Sequence, residues 1–291
     1  MQIKKWLLTV RKSFRDYPVP GSTAAIVFAL GLTRLVGQIL KMLPESILRD
    51  CLIQLGGILS PLLVVLLLGY QWCYRHGSAG KTIQASLPLI LFIGLLLGGT
   101  LHSVFSAPDT EWLPPEQIIL GILKLFVIGF LEESLFRGIA ASCIGIRYGR
   151  EAKGVWLAVI LSGFIFGAFH MMNTSAGVNL LSALAQSVTA WIFGIFFAAI
   201  YFRGGNIWVM ILIHSLTDSP GLFRTLFTVT GTTQIDAINE ISFEGWYFYP
   251  VILALTVFLL RKPKMAEVIA NLHSAAAEDA SINSYIDKGK R

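Results

Sequence analysis

The sequence carries little charge. Asp, Glu, Lys and Arg make up 14% of its 291 residues, whereas charged residues make up about 25% of a typical soluble domain. Hydrophobic residues account for 55%. A helix that spans a bilayer needs about 20 predominantly apolar residues, and several such runs are present. The composition therefore excludes an ordinary soluble domain and indicates that lipid surrounds much of the chain.

Several sequence signatures are also absent. The three cysteines, Cys51, Cys73 and Cys143, show no paired spacing, so we interpret them as small apolar residues. No basic patch with interleaved aromatic residues occurs, so nucleic acid is not an expected partner. The apolar stretch WLLTV near the start is too short for the core of a signal peptide. The basic and apolar residues around it predict a short interfacial helix.

The apolar runs predict an all-α protein, a polytopic bundle of about eight transmembrane helices. The predicted spans cover residues 21–40, 51–74, 83–105, 117–140, 154–172, 178–202, 205–220 and 245–261. Lys and Arg concentrate in the two tails and in alternate loops, which predicts a cell-membrane protein with both termini in the cytoplasm. The tail after Arg261 is predicted to be loosely ordered. The connector 221–244 is either an amphipathic linker or a gate that lies on the membrane.

Ionisable residues inside the predicted spans are the first candidates for function, because a charge at the bilayer centre costs about 2.5–3.5 kcal/mol or more. Arg34, His102 and Lys124 stand alone, and we interpret them as side chains that reach the interface or pair with the backbone. The remaining six fall in three predicted helices and are candidates for one shared site: Glu132, Glu133, Arg137, His170, His214 and Asp218.

The first of these helices carries two adjacent acids. Glu133 and Arg137 are four residues apart with the acid first, which favours a pair on one helix face. We therefore interpret Glu133 as a structural residue that Arg137 neutralises. Glu132 lies about 100° around the helix from Glu133, so we expect Glu132 to face a different partner.

The second helix places His170 one turn after Phe166, on the same face. The small residues Gly163, Gly167 and Ala168 are expected to let a neighbouring helix approach closely.

The third helix places His214 and Asp218 one turn apart, so the Asp can orient the ring or act beside it. Glu132 and His170 lie at nearly equal distances from the basic turn around Arg150, which predicts that they are level in the membrane. His214 is only 11 residues beyond Arg203 and fits this depth less well. Either the first two helices project past the bilayer, or the third begins within it.

This set of side chains suits hydrolysis by an activated water. The sequence has no GxSxG motif and no HExxH motif, so neither a serine nucleophile nor the common zinc-protease signature is present. Two mechanisms remain open. In one, Glu132 is the general base, His170 positions the water, and His214 and Asp218 stabilise the oxyanion. In the other, Glu132, His170 and His214 bind zinc.

The three motifs together resemble those of the CPBP family, which includes the type II CAAX prenyl endopeptidases, bacteriocin-processing and immunity proteins and related membrane proteases. The matching pattern is Glu132-Glu133-x-x-x-Arg137, then Phe166-x-x-x-His170, then His214-x-x-x-Asp218. The resemblance covers roughly residues 117–220. It divides the chain into 1–116 with the interfacial helix and three spans, 117–220 as the catalytic core, and 221–291 with the connector, the last span and a polar tail.

The resemblance implies an intramembrane endopeptidase that cleaves membrane-associated proteins or peptides. Glu132 would be catalytic, with His170, His214 and Asp218 around it, and Glu133, Arg137 and Phe166 would support them. The family has been described both as metalloproteases and as glutamate-dependent proteases, so zinc is not a certain cofactor. The alternative function is a non-enzymatic membrane immunity or partner protein on the same scaffold. A proton-coupled transporter would predict inverted repeats, which the sequence does not show.

Overall fold

Helices form most of the structure. The computed structural model describes residues 2–230, 232–243 and 246–288, and it is 85% helical. Within these residues no β-strand occurs, and the one isolated bridge joins Trp112 to Thr228. The predicted all-α class is confirmed.

The helices follow one another with short connections. They are α1 (Gln2–Asp16), α2 (Pro18–Leu40), α3 (Ile47–Leu68), α4 (Ala79–Phe105), α5 (Pro115–Glu133), α6 (Ser142–Tyr148), α7 (Ala152–His170), α8 (Leu180–Gly204), α9 (Ile207–Phe227), α10 (Gln234–Asn239), α11 (Phe248–Leu259) and α12 (Lys262–Lys288). Short 3-10 helices cover Gln71–Tyr74 and Met171–Ala176, and a π-helix, Ser134–Ala141, joins α5 to α6.

The chain is a multi-pass membrane protein. Among the described residues, five helices are long and apolar enough to cross a membrane: α2, α3, α4, α7 with its extension to Ala176, and α8. The predicted spans at 117–140 and 205–220 coincide with helices that carry the ionisable residues of the candidate site. The last predicted span begins at Gly245, which lies outside the described residues, and its helix α11 has 12 residues. The predicted number of eight spans is therefore not confirmed.

Helices α1 and α12 lie at the same end of the bundle, which we call the basal end. The Arg15 guanidinium donates two hydrogen bonds to the Asp279 carboxylate, at 2.6 and 2.7 Å. The opposite end, called the distal end, holds the loops at 41–46, 106–114 and 177–179 and the segment Met171–Ala176. The interfacial position of α1 and the cytoplasmic location of both termini stay predictions.

The prediction of a loosely ordered tail is wrong, because α12 is a helix that packs on the bundle. The Asn271 side-chain amide donates to the backbone oxygens of Phe202 and Arg203, at 3.2 and 2.9 Å. The Glu267 carboxylate pairs with Lys81 and Arg203. These partners belong to segments far away in sequence, so the polar composition of the tail did not reveal them.

Close packing of α7 on α8 fixes the helix that carries His170. A Cβ atom at Gly163 would lie 2.7 Å from the Ile195 backbone nitrogen, and one at Gly167 would lie 2.5 Å from the Ser187 backbone oxygen. The predicted role of these two glycines is confirmed. The same prediction for Ala168 is wrong, because Ala168 is exposed on the other side of α7.

Candidate active site

His214 lies at the centre of the candidate site. Its side chain is 5% exposed, and acidic groups contact both ring nitrogens. The Nδ1 atom lies 2.6 Å from Glu133 Oε1. The Nε2 atom lies 3.3 Å from Glu132 Oε2 and 3.7 Å from Asp218 Oδ2. One buried imidazole is therefore surrounded by three carboxyl groups from two helices, α5 and α9.

The expectation that Glu132 and Glu133 face different partners is wrong. Both carboxylates reach the same ring, one at each nitrogen. An angle of about 100° between neighbouring side chains lets them approach the two edges of one imidazole when the ring points at the helix. The backbone of α5 and the packing distance to α9 decide this arrangement, and neither is visible in the spacing of the residues.

The predicted pair between Glu133 and Arg137 is confirmed. Arg137 Nη1 donates to Glu133 Oε1 at 2.8 Å, and both residues are almost fully buried, at 0% and 1% exposure. The Arg137 guanidinium carbon lies 4.5 Å from the ring centroid of Phe166 and 5.0 Å from that of Phe197. The cation is thus held by one carboxylate and two aromatic rings, which stabilise it away from water.

Phe197 is a residue that the sequence analysis missed. Its ring centroid lies 5.4 Å from that of His214, so the same ring touches both His214 and Arg137. It comes from α8, which carries none of the ionisable residues of the site. Several phenylalanines occur in α8, and nothing in the sequence singles out this one.

The π-helix begins directly after the two acids. The Ser142 backbone N–H bonds to the Arg137 carbonyl five residues earlier, and the Ser142 hydroxyl donates to the same oxygen at 2.8 Å. Such wide turns are rare in proteins, and those that occur are often found at functional sites. Because more residues fit into each turn, the segment from Glu133 to α6 is shorter along its axis than an α-helix would be. The two acids therefore lie closer to the depth of His214 in the membrane than the residue counts from the basic loops predicted.

Two further residues hold the start of the π-helix, and the sequence analysis missed both. The Tyr74 hydroxyl donates to Ser134 Oγ at 2.8 Å, and Ser134 directly follows Glu133. Trp208 of α9 donates its indole N–H to the Tyr74 backbone oxygen at 3.0 Å. The short 3-10 helix between α3 and α4 therefore connects α9 to the segment that carries Glu132 and Glu133.

His170 lies at the end of α7, where its side chain is half-buried. Its Nδ1 atom lies 2.9 Å from the Phe166 backbone oxygen. A carbonyl oxygen only accepts, so Nδ1 carries a proton in this contact, and Nε2 is an acceptor whenever the ring is neutral. Within the described residues, no hydrogen bond joins His170 to Glu132, His214 or Asp218.

The charges around His214 require a shared proton. Arg137 neutralises Glu133, and the remaining groups on the Nε2 side are Glu132 and Asp218. Two carboxylates beside one imidazole are stable when the ring is protonated, or when one of the acids is. The Glu132 and Asp218 side chains are 23% and 30% exposed. They form the open edge of the site, on the distal side of His214.

A metal site was expected as one alternative at Glu132, His170 and His214. Among the residues that the structure describes, no group of three or more His, Cys, Asp or Glu side chains has an arrangement that could hold a metal ion. The zinc alternative stays a prediction.

The segment that carries the candidate site matches a known family. Residues 114–219 match the family model of the type II CAAX prenyl endopeptidase Rce1-like proteins. This match confirms the predicted resemblance, and its limits lie within three residues of the predicted core, 117–220. No curated protein and no solved structure matches the chain significantly. The roles of the individual site residues stay predictions.

The three isolated ionisable residues lie outside the site. Arg34 donates to Ser175 Oγ at 2.9 Å, and His102 is exposed. Lys124 is partly buried on α5 and has no carboxylate partner within the described part of the chain. Arg34 is exposed and also donates to the Ser175 backbone oxygen at 3.4 Å, as the interpretation of this residue expected, whereas the bond to the Ser175 side chain was not predicted.

Proposed function

We propose that this protein is an intramembrane endopeptidase that hydrolyses peptide bonds of membrane-associated proteins or peptides. The observation that supports this most directly is the contact between the Glu132 carboxylate and His214 Nε2 at the partly exposed edge of the site. It lies inside the segment that matches an endopeptidase family. The cell membrane is the proposed location, with both termini in the cytoplasm.

In the proposed first step, Glu132 takes a proton from a water molecule while the water oxygen attacks the substrate carbonyl carbon. His170 accepts a hydrogen bond from the same water through Nε2, since its Nδ1 is engaged with the Phe166 backbone oxygen. The protonated His214 ring donates from Nε2 to the oxygen that becomes negative, with Asp218 beside it.

In the second step, the carbon–nitrogen bond breaks. Glu132 returns its proton to the leaving nitrogen, which departs as an amine, and the water oxygen remains in the new carboxyl group. Glu133 does not touch substrate in this scheme. It is a positioning residue, because its bond to Nδ1 fixes the His214 ring so that Nε2 faces the open edge of the site.

The substitution Glu132→Gln tests this proposal. The purified protein in liposomes is assayed for cleavage of membrane peptides, and we expect a loss of about 10²–10⁴-fold in kcat without a change in thermal unfolding. Glu116→Gln is the matched control, since Glu116 is an exposed acid at the start of the same helix. Full activity of Glu132→Gln would contradict the proposal and would favour the non-enzymatic immunity or partner function.

The proposed mechanism uses only protein groups, so removal of metal is a second test. We expect cleavage to survive dialysis against a strong chelator. Loss of cleavage that zinc restores would instead support the site of Glu132, His170 and His214. That result would replace general-base catalysis by Glu132 with zinc activation of the water.

A further inference from the structure

Ser142 holds the end of the π-helix Ser134–Ala141, the segment that follows the two acids of the candidate site. Its hydroxyl donates to the Arg137 carbonyl at 2.8 Å, and the same carbonyl accepts the Ser142 backbone N–H. The Tyr201 hydroxyl of α8 lies 3.2 Å from Ser142 Oγ. Because the Ser142 hydroxyl gives its one hydrogen to Arg137, Tyr201 is the donor in this second contact. Ser142 and Tyr201 are both buried, so these bonds form away from solvent.

The π-helix links this pair to the candidate site. Arg137 belongs to the π-helix and donates to Glu133, which fixes the ring of His214. Because π-helices are rare and α-helices are common, contacts with other parts of the protein must hold the segment in its wide turns. Relaxation to an α-helix would release one residue from a wide turn and rotate the two acids by about 100° relative to α6.

Helix α12 packs on α6 directly after the π-helix. Leu272 of α12 is buried, and its side chain lies in a notch formed by two glycines four residues apart, Gly145 and Gly149. A Cβ atom at Gly145 would lie 2.9 Å from Leu272 Cδ2, and one at Gly149 would overlap Leu272 Cδ1. The two glycines therefore let α12 approach α6 closely, and Leu272 fills the space between them.

The same helix covers the bonded pair of Ser142 and Tyr201. A cavity between α12 and the bundle is lined by these two residues and, from α12, by Asn271, Leu272 and Ala275. With α12 removed, this side of the pair would open to the surroundings of the basal end. Water would then compete for the carbonyl and hydroxyl groups that hold the end of the π-helix.

Much of the attachment of α12 to the bundle is ionic and partly exposed. Glu278 Oε1 lies 2.8 Å from His76 Nδ1, and Glu267 Oε2 lies 3.3 Å from Arg203 Nη2. The Glu278 and Glu267 side chains are 43% and 27% exposed. Exposed ion pairs contribute little stability each, so α12 is an element that can separate from the bundle while the buried core stays folded.

We propose that α12 controls the candidate active site through the π-helix. While α12 is docked, it covers the pair of Ser142 and Tyr201 and holds the π-helix, so that the two acids contact His214. When α12 separates, the pair is exposed, the π-helix relaxes and the acids turn away from the ring. Ser142, Tyr201 and Leu272 are positioning residues in this scheme, because they act through α6 and the π-helix. The effect on cleavage rests on the proposed function.

Hydrogen exchange tests this link without a substrate. Leu272→Ala, made in the full chain in lipid nanodiscs, empties the notch on α6 and keeps every charge of α12. We expect amide exchange of residues 134–148 to become about tenfold faster, whereas residues 115–125 of α5 keep their rate. Ser274→Ala is the matched control, since Ser274 is an exposed residue of the same helix, and it should leave exchange unchanged.

Tyr201→Phe tests the second part of the link. It removes the hydroxyl that donates to Ser142 and keeps the ring, so α12 should stay docked. We expect faster exchange at residues 134–148 without a change at residues 262–282. Tyr148→Phe is the control, because Tyr148 is an exposed tyrosine of α6. Unchanged exchange at 134–148 in Leu272→Ala or in Tyr201→Phe, or an increase spread equally over α5, would overturn the inference.

Cleavage kinetics separate the inference from the proposed function. We expect Leu272→Ala and Tyr201→Phe to lower kcat about tenfold with KM nearly unchanged, because small displacements of reacting groups are costly to the rate. If the natural protein cleaves peptides and both variants cleave them equally fast, only the inference fails. If hydrogen exchange responds as expected but the natural protein cleaves no peptide, only the proposed function fails.

Discussion

Acidic side chains contact both ring nitrogens of His214. Behind Glu133 lie Arg137 and two phenylalanine rings. The Arg137 guanidinium lies over the rings of Phe166 and Phe197. It donates to Glu133, which also accepts from His214 Nδ1. Each of these side chains is buried. The geometry of the reacting edge therefore depends on residues that substrate does not touch.

The buried ion pair between Glu133 and Arg137 contributes to the stability of the fold. Arg137→Met leaves the Glu133 carboxylate buried without its cation, and we expect a loss of about 3–5 kcal/mol in stability. The double variant Glu133→Gln/Arg137→Met removes both charges and should lie much closer to the natural protein. Unfolding of the purified proteins in detergent measures this. A double variant as unstable as Arg137→Met would contradict the argument.

The Phe197 ring supports both Arg137 and His214. Phe197→Leu removes a ring that contacts both Arg137 and His214, and we expect kcat to fall about tenfold with KM nearly unchanged, because a cation–π contact contributes about 0.5–2 kcal/mol. Phe193→Leu, one turn earlier on α8, is the control. Steady-state cleavage kinetics separate the two constants. Equal effects of the two substitutions would show that only packing is at stake.

At the scale of elements, the approach of α5 to α9 brings the acids to His214. Gly129 faces α9 at the closest point, where an added Cβ would overlap the Ser215 hydroxyl and lie 2.7 Å from the Ile211 backbone oxygen. The π-helix then continues α5 with a wider turn. Helix contact and helix type together set the position of Glu132 and Glu133.

Gly129→Ala is therefore expected to separate α5 from α9. Overpacking of this kind costs about 1–3 kcal/mol of stability. The cleavage rate should fall strongly even where the protein stays folded, because the acids move away from His214. The control is Gly94→Ala, at a glycine of α4 where an added Cβ meets nothing within 4 Å. Cleavage rate and unfolding temperature are measured for both. Normal activity of Gly129→Ala would show that α9 follows α5 without loss of the site.

At the scale of the whole molecule, α12 ties the basal end together. Its acids reach three separate parts of the chain: Glu267 binds Lys81 and Arg203, Glu278 binds His76, and Asp279 binds Arg15. The last helix thus binds residues near positions 15, 76–81 and 203, which are far apart in the sequence. We expect its docking to depend on charge more than on apolar burial.

The docking of α12 should weaken in acid. Partial burial would raise the pKa of Glu267, but its bond to Lys81 and the charges of Arg203 and Lys264 lower that pKa overall. A lowered pKa stabilises the folded form fully above the ordinary glutamate value of about 4.3 and less as the pH falls toward the folded-state pKa. Hydrogen exchange of residues 262–282 between pH 7 and pH 3.5 measures the release.

Two variants sharpen this prediction. Glu267→Gln should raise hydrogen exchange in α12 already at pH 7. Asp16→Asn, which removes an exposed carboxylate from the same end of the bundle, should not. Unchanged exchange in Glu267→Gln would show that apolar contacts alone hold the helix.

The sequence was sufficient for the fold class and for the residues of the core. Apolar runs interrupted by polar loops specify transmembrane helices, because lipid leaves backbone groups no partner outside a helix. Ionisable residues inside such runs are costly, so their presence and their grouping in three helices marked Glu132, Glu133, Arg137, His170, His214 and Asp218. The pair between Glu133 and Arg137 followed from helical spacing.

Only the tertiary structure decided which of these groups meet. Both acids converge on His214, Phe197 joins from another helix, Arg34 reaches Ser175, and α12 docks on the basal end. None of these contacts is local in sequence. The sequence determines what is unstable when exposed to lipid, whereas the distance and rotation between packed helices determine which partner relieves that instability.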